Sequence, residues 1–364
     1  MSSRADVIKA HLLTLLEDYK DFNSTPISTQ PVPTAVEFAK QVSNGYPCVY
    51  RAYDKVLDRS GKFQVWTDPS LLQCPAFLWT KQDLINLVDD KIEVAVTPNG
   101  RADDLHNVDG NDEQVFLLPA NVEMTIAELL AKLNQGQVGS DGPGLVHYLQ
   151  SQNSNLTTTP LARILKHIPK KFPFAEPVLS DPEAINIWIG DESSITSTHR
   201  DPYENLYLVL KGSKIFTLYP PVDEITLPTK FVRSGHYEYN TKTNAFAVVL
   251  DESDDAAEPP SRIPWISIDP LQPREELIDK DPLYARSSPR TVKVNEGEIL
   301  YLPSGWYHHV QQECGTWDED GSRAPCIAVN YWFDMEYAGE KYVMRQLVSR
   351  LVTEMRSEAL GNGE

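Results

Sequence analysis

The sequence predicts a mainly β fold, a sandwich or barrel of short strands with α-helices at its flanks. Three observations carry this. From residue 144 onward, short apolar segments with strand-like alternation recur at 145–149, 185–189, 204–210, 214–219, 299–302, 308–312 and 327–333, separated by turn residues; that is the pattern of an all-β sandwich or barrel. Residues 1–140 mix several short helices with strands, and from residue 336 the texture turns helical. The chain has 364 residues, 41% hydrophobic and 23% charged, which is enough to bury a large core and rules out wholesale disorder. The expected organisation is a mixed N-terminal region over 1–140, a β core over 141–335 and a C-terminal helix over 336–364.

Taken in order, the first segment reads as an amphipathic helix with Val7, Ile8, Leu12, Leu15 and Leu16 on one side. Residues 21–33 are a polar, proline-containing linker. Thr34 and Glu37 have capping-box spacing and open a short helix reaching about Val42. A strand is expected at 48–53, a helix capped by Thr80 over 81–89, a strand at 92–96 and a turn at 97–100. Thr125 and Glu128 repeat the capping-box spacing ahead of a helix over 126–133. The acidic stretch 251–258 reads as a solvated loop. The last helix carries Tyr337, Val343, Leu347, Leu351 and Met355 as one stripe, packed on the barrel or used to pair two copies of the chain.

The formal net charge of −19 argues against nonspecific binding to nucleic acid or to an anionic membrane, both of which need a basic face. A basic protein or peptide partner is compatible with it. The four cysteines, Cys48, Cys74, Cys314 and Cys326, have no CxxC or zinc-ribbon spacing. A reduced compartment follows, the cytoplasm first and the nucleus second. No apolar run approaches the ~18 residues of a membrane span, and Asp6, Lys9, His11 and Glu17 interrupt the N-terminal apolar residues too often for a signal peptide.

Chemistry is concentrated in two segments. In Thr196-Ser-Thr-His-Arg-Asp201, His199 and Asp201 are two residues apart, so in a strand both face one point. A His and a carboxylate on one face are two thirds of a facial triad for non-haem Fe(II); a hydrogen-bonded structural pair is the alternative. In residues 297–310 a strand ends at Pro303 and another begins near Tyr307. Alternation groups His308 with Val310 on the inward face and His309 with Gln311 on the other, which selects His308 as the third ligand. Such a triad leaves metal positions for dioxygen and a bidentate 2-oxo acid, and a dianionic one such as 2-oxoglutarate also needs a cation for its tail. Lys214, sharing a face with Phe216 and Leu218, supplies one if the strand register holds.

His199-x-Asp201, Lys214 after a Lys-Gly turn, and Leu302-Pro-Ser-Gly-Trp-Tyr-His308-His together closely resemble the Jumonji-C oxygenases over about 140–335. Further segments, Ile92 to Gly100, Asn186 to Gly190, Tyr203 to Tyr207 and Cys326 to Asp334, look like the small Jumonji-C-domain-7-type lysyl hydroxylases. The resemblance implies a double-stranded β-helix of the jelly-roll type, Fe(II) held by His199, Asp201 and His308, and 2-oxoglutarate and dioxygen as co-substrates. It implies (3S)-hydroxylation of a lysine in a GTP-binding protein of the translation-factor class. Thr196 and Tyr148 match the family residues that hold the distal carboxylate beside Lys214, and Asn205 and Asn330 fall where related hydroxylases place asparagines near the metal. Trp188 and Trp306 are expected to build walls. Asp191, Glu192 and Glu204 are the candidate acids for a substrate ammonium. The long segment from about Thr226 to Thr291 departs from the pattern and either lengthens a substrate rim or does nothing. A histone-tail demethylase or peptidase on the same metal site, and a non-catalytic interaction scaffold, are the competing functions.

Overall fold

The computed structural model describes residues 4–58, 60–108, 113–134, 145–150, 154–252 and 261–361. Its centre is two mainly antiparallel sheets laid face to face. One has six strands in the order Thr29–Pro31, Cys48–Arg51, Glu298–Leu302, Tyr203–Lys211, Cys326–Asp334 and Ala184–Gly190. The other has five, in the order Arg290–Asn295, Ser213–Tyr219, Tyr307–Glu313, Ile195–Arg200 and Arg101–Ala102. The chain passes back and forth between the sheets, which makes the jelly-roll double-stranded helix.

Period-two alternation explains both faces of the larger sheet. Trp188, Tyr207, Val209, Leu300 and Ala328 point between the sheets and meet Phe216, Leu218, Val294 and Val310 from the smaller one. The intervening residues, Ile187, Leu208, Ile299, Val329 and Tyr331 among them, face outward under Phe38, Leu84 and Leu129 from the N-terminal region and under Phe174. Because both faces are covered, Cys326–Asp334 is buried at every residue but the last and reads as a continuous apolar run.

The helices are held by the caps their sequences announce. Thr34 and Glu37 form a complete capping box on Ala35–Asn44, Thr80 and Asp83 do the same on Lys81–Leu87, and Glu128 bonds back to Thr125 ahead of Ile126–Asn134. The polar linker is not wholly irregular, since Thr29–Pro31 pairs in parallel with Cys48–Arg51 at the sheet edge. The first helix, Arg4–Phe22, buries Leu12 and Leu16 against Val352 and Met355 of the last, Glu340–Gly361. Val7 and Leu15, expected on its buried side, are exposed, as are Tyr337, Val343 and Leu347; only part of each stripe meets its neighbour helix, and Tyr337 precedes the helix altogether. Most of the acidic stretch 251–258 lies outside the described residues. Among the described residues no helix is long and apolar enough to cross a membrane.

The long segment between the paired strands Ser213–Tyr219 and Arg290–Asn295 carries regular structure in its described residues. It contributes the strands Thr229–Asn240, Ala245–Leu250 and Ile263–Ile266. Thr229–Asn240 continues in parallel onto Gln114–Leu118 of the N-terminal region. The two additions thereby form one sheet that stands over the mouth of the jelly roll.

Candidate active site

His199 closes a strand that pairs with Tyr307–Glu313 in a broken register. Thr196 is opposite Val310, whereas His199 is opposite His308. One extra residue is accommodated between them. Thr196 and His199 are three apart and would face opposite ways in a regular strand; the irregularity lets both line the same cavity. Asp201 follows the strand end. Its Oδ2 lies 3.9 Å from His199 Nε2 and 3.7 Å from His308 Nε2, and the three donor atoms fall within 4.8 Å of one another.

The backbone sets the tautomers. His199 Nδ1 donates to the Ser197 carbonyl at 2.8 Å, and His308 Nδ1 donates to the Trp306 carbonyl at 3.1 Å. Each ring therefore carries its proton on Nδ1 and turns the lone pair of Nε2 toward Asp201. This is the outer-shell arrangement that prepares imidazoles for a metal. Burial, helped by neighbouring His199, pushes His308 down to about 4, so it is neutral as a ligand must be. Two imidazoles with Nε2 turned inward and one carboxylate on one side are the donor set of the facial triad, so the residues present fit Fe(II).

Deeper between the sheets, Lys214 is 1% exposed. Its Nζ donates to the Tyr148 hydroxyl at 3.0 Å and to Gln312 Oε1 at 2.5 Å. No carboxylate of the described residues is within ion-pairing distance of it. The Thr196 side chain reaches the same phenol. A buried ammonium served only by neutral oxygens is costly until an anion arrives, and a dicarboxylate tail is such an anion. Gly190 makes the room: a Cβ there would stand 2.6 Å from both Gln312 Nε2 and Tyr148 Cδ2. On the larger sheet, Asn330 Oδ1 accepts from Trp188 Nε1 at 2.8 Å. Asn330 Nδ2 and Asn205 Oδ1 are buried with no partner among the described residues. Orphaned buried polar atoms call for a ligand or water, so this inner face also fits a polar co-substrate.

An open cavity of about 1170 Å³ leads to the triad, lined among others by Asp103, Gln150, Thr196, His199, Asp201 and Trp265. The Trp265 ring lies parallel to that of His199 at 6.5 Å and packs on Phe116 at 4.3 Å. The inserted segment is thus a wall of the cavity.

One expectation is corrected. Asp191, Glu192 and Glu204 do not face the cavity. Asp191 accepts from the Ser193 amide, Glu192 is bound to Arg323 and the Cys314 amide, and buried Glu204 accepts from Tyr301, the Ser304 amide and the Ser304 hydroxyl. His309, turned to the other face, is buried at 1% exposure, with neither ring nitrogen hydrogen-bonded among the described residues and Asp269 3.9 Å away. Trp306, placed as a wall, also donates to the Gly45 carbonyl and ties the site to the N-terminal region. Sequence reasoning missed Asp103, Gln312 and Trp265. Gln312 was reachable, since it continues the inward parity of His308 and Val310; Asp103 and Trp265 carry no local signal.

Comparison with known proteins agrees with this geometry. Residues 33–339 match the family model of the cupin-like domain. The chain is 36% identical to the human bifunctional peptidase and (3S)-lysyl hydroxylase JMJD7, over 72% of this chain and 73% of that one. It is 32% identical to JmjC domain-containing protein E of Dictyostelium discoideum, over 87% and 86%. It is 35% identical to lysine-specific demethylase JMJ32 of Arabidopsis thaliana, over 84% and 80%. A jelly roll whose smaller sheet presents two histidines and an aspartate at one point, matched along most of its length by these relatives, belongs to the JmjC group of the cupin-like family, the Fe(II)- and 2-oxoglutarate-dependent oxygenases.

Proposed function

We propose that this chain hydroxylates a lysyl side chain of a protein substrate, with His199, Asp201 and His308 holding Fe(II) and Lys214 anchoring 2-oxoglutarate. The observation that carries the reading is the pair of Nδ1–H bonds to Ser197 and Trp306, which aims both Nε2 lone pairs at Asp201. Bound there, the iron, 2-oxoglutarate and dioxygen would supply an oxidant for an unactivated C–H bond. The chain's own residues bind and orient. The Lys214 ammonium, the Tyr148 hydroxyl and Thr196 receive the distal carboxylate of the co-substrate. Asn205 and Asn330 offer their free amide atoms on the inner face of the larger sheet. Trp265 and Phe116 narrow the cavity and reduce access of water to the reacting carbon.

The lysyl assignment draws on the likeness to JMJD7, itself named a (3S)-lysyl hydroxylase, and on the segments shared with the small lysyl hydroxylases. The same resemblance makes a GTP-binding protein of the translation-factor class the first substrate to try. The test is peptide mass spectrometry of such a protein after incubation with the chain, Fe(II) and 2-oxoglutarate. One added oxygen on a lysine, absent with His199→Ala, is expected. The relative named a demethylase supports a second reading: loss of a methyl group from a methyl-lysine peptide, without oxygen retained on unmodified lysine, replaces the first.

A further inference from the structure

The charges lining the cavity are unevenly satisfied. Arg200 pairs with Glu224 at 3.0 Å and Arg356 with Asp281 at 3.0 Å, so both cations of the wall already have carboxylates. Asp103 has no such counterpart among the described residues. Its Oδ2 accepts one hydrogen bond, from Gln150 Nε2 at 3.2 Å. Gln150 is itself buried, and Ser197 Oγ holds the Asp103 carbonyl. Asp103 follows the short strand Arg101–Ala102, which pairs with Ile195 and Thr196 on the strand that ends beside His199. Its φ of 53° is a left-handed conformation that Asp and Asn adopt more readily than other side chains. Removal from water pushes the carboxyl up to about 6, against the opposing effects of neighbouring His199 and the Gln150 amide. Of the other acids outside the triad that line the cavity among the described residues, Glu224 is paired with Arg200 and Glu93 is exposed.

We infer that Asp103, oriented by Gln150, is the residue that receives the ammonium of the substrate side chain and selects a primary amine over an apolar chain of the same length. The inference rests on the lysyl reading above. The acids suggested by sequence neighbourhood have other partners, whereas Asp103, contributed by the N-terminal region, has only the amide of Gln150 and no ion pair among the described residues. Asp103 is separated in sequence from the metal triad, so substrate choice and metal binding are carried by different parts of the chain.

The test measures binding of N-acetyl-L-lysine N-methylamide and its norleucine counterpart to the full chain, loaded with Mn(II) and 2-oxoglutarate without oxygen. The wild type is expected to favour the lysine probe by about tenfold or more, the scale of one charged contact in a partly dried site. Asp103→Asn, which suits the same backbone conformation, should bring the two probes level, while Asp103→Glu restores part of the preference and Glu93→Gln keeps it. Affinity for 2-oxoglutarate is read in the same samples. Preference retained in Asp103→Asn overturns this assignment and leaves the lysyl reading standing. Preference lost together with 2-oxoglutarate binding also overturns it, as a merely structural role. A wild type that binds 2-oxoglutarate but does not distinguish the probes removes both the assignment and the lysyl reading.

Discussion

Two lysines stand three residues apart at either end of the turn that carries the chain from the larger sheet to the smaller one, each 1% exposed, yet in opposite electrostatic situations. Lys211 has Asp318 at 3.4 Å and Glu296 at 4.0 Å, and shares them with Lys55. Lys214 has a phenol and an amide oxygen. Burying a charge with carboxylates close by is a structural device; burying one with none leaves a cost that only an incoming anion removes. The first corner is complete as it folds. The second is complete only with a co-substrate in place.

Breaking the unsatisfied corner should have the largest effect. Lys214→Met is expected to weaken 2-oxoglutarate binding by about a hundredfold, without lowering the melting temperature of the ligand-free protein, because an unpaired buried charge is removed. A drop in both would mean that Lys214 is structural like Lys211. Next, Gly190→Ala crowds Tyr148 and Gln312 together. We expect a loss of about 1–3 kcal/mol by denaturant titration and roughly tenfold weaker 2-oxoglutarate binding, as the Lys214 partners are displaced. Lys211→Met sharpens the contrast from the other side. It should cost about 1–2 kcal/mol of stability yet leave the stabilisation by saturating 2-oxoglutarate at the wild-type value, about 2.7 kcal/mol at a hundred times Kd. Smallest is Trp265→Ala, at the mouth. It is expected to raise the KM for a protein substrate a few-fold, with a smaller change in the KM for 2-oxoglutarate; equal changes would show that the wall also supports the co-substrate.

Much of the deep site was legible because it depends on short-range parity. His199 and Asp201 share a spacing of two, and alternation from Val310 separated His308 from His309; the structure brings His308 to 3.7 Å from Asp201 and turns His309 away. Lys214 shares its inward face with Phe216 and Leu218 for the same reason. Capping boxes were equally local: Thr34 with Glu37 and Thr125 with Glu128 are close along the chain in any fold that forms those helices.

What the amino-acid sequence determined alone, then, is many of the core strands, which of their faces turn inward, and the residue types available to a metal and a dicarboxylate, because each of these follows from periods of two and three to four residues. Tertiary structure decided the rest. The register break between Thr196 and His199 puts both on one cavity only because the partner strand imposes it. Asp103 and Trp265 come to the mouth from separate segments of the chain joined by the pairing of Gln114–Leu118 with Thr229–Asn240. Contacts between distant segments leave no periodic trace in either one, so their chemistry becomes visible only when the fold has brought them together.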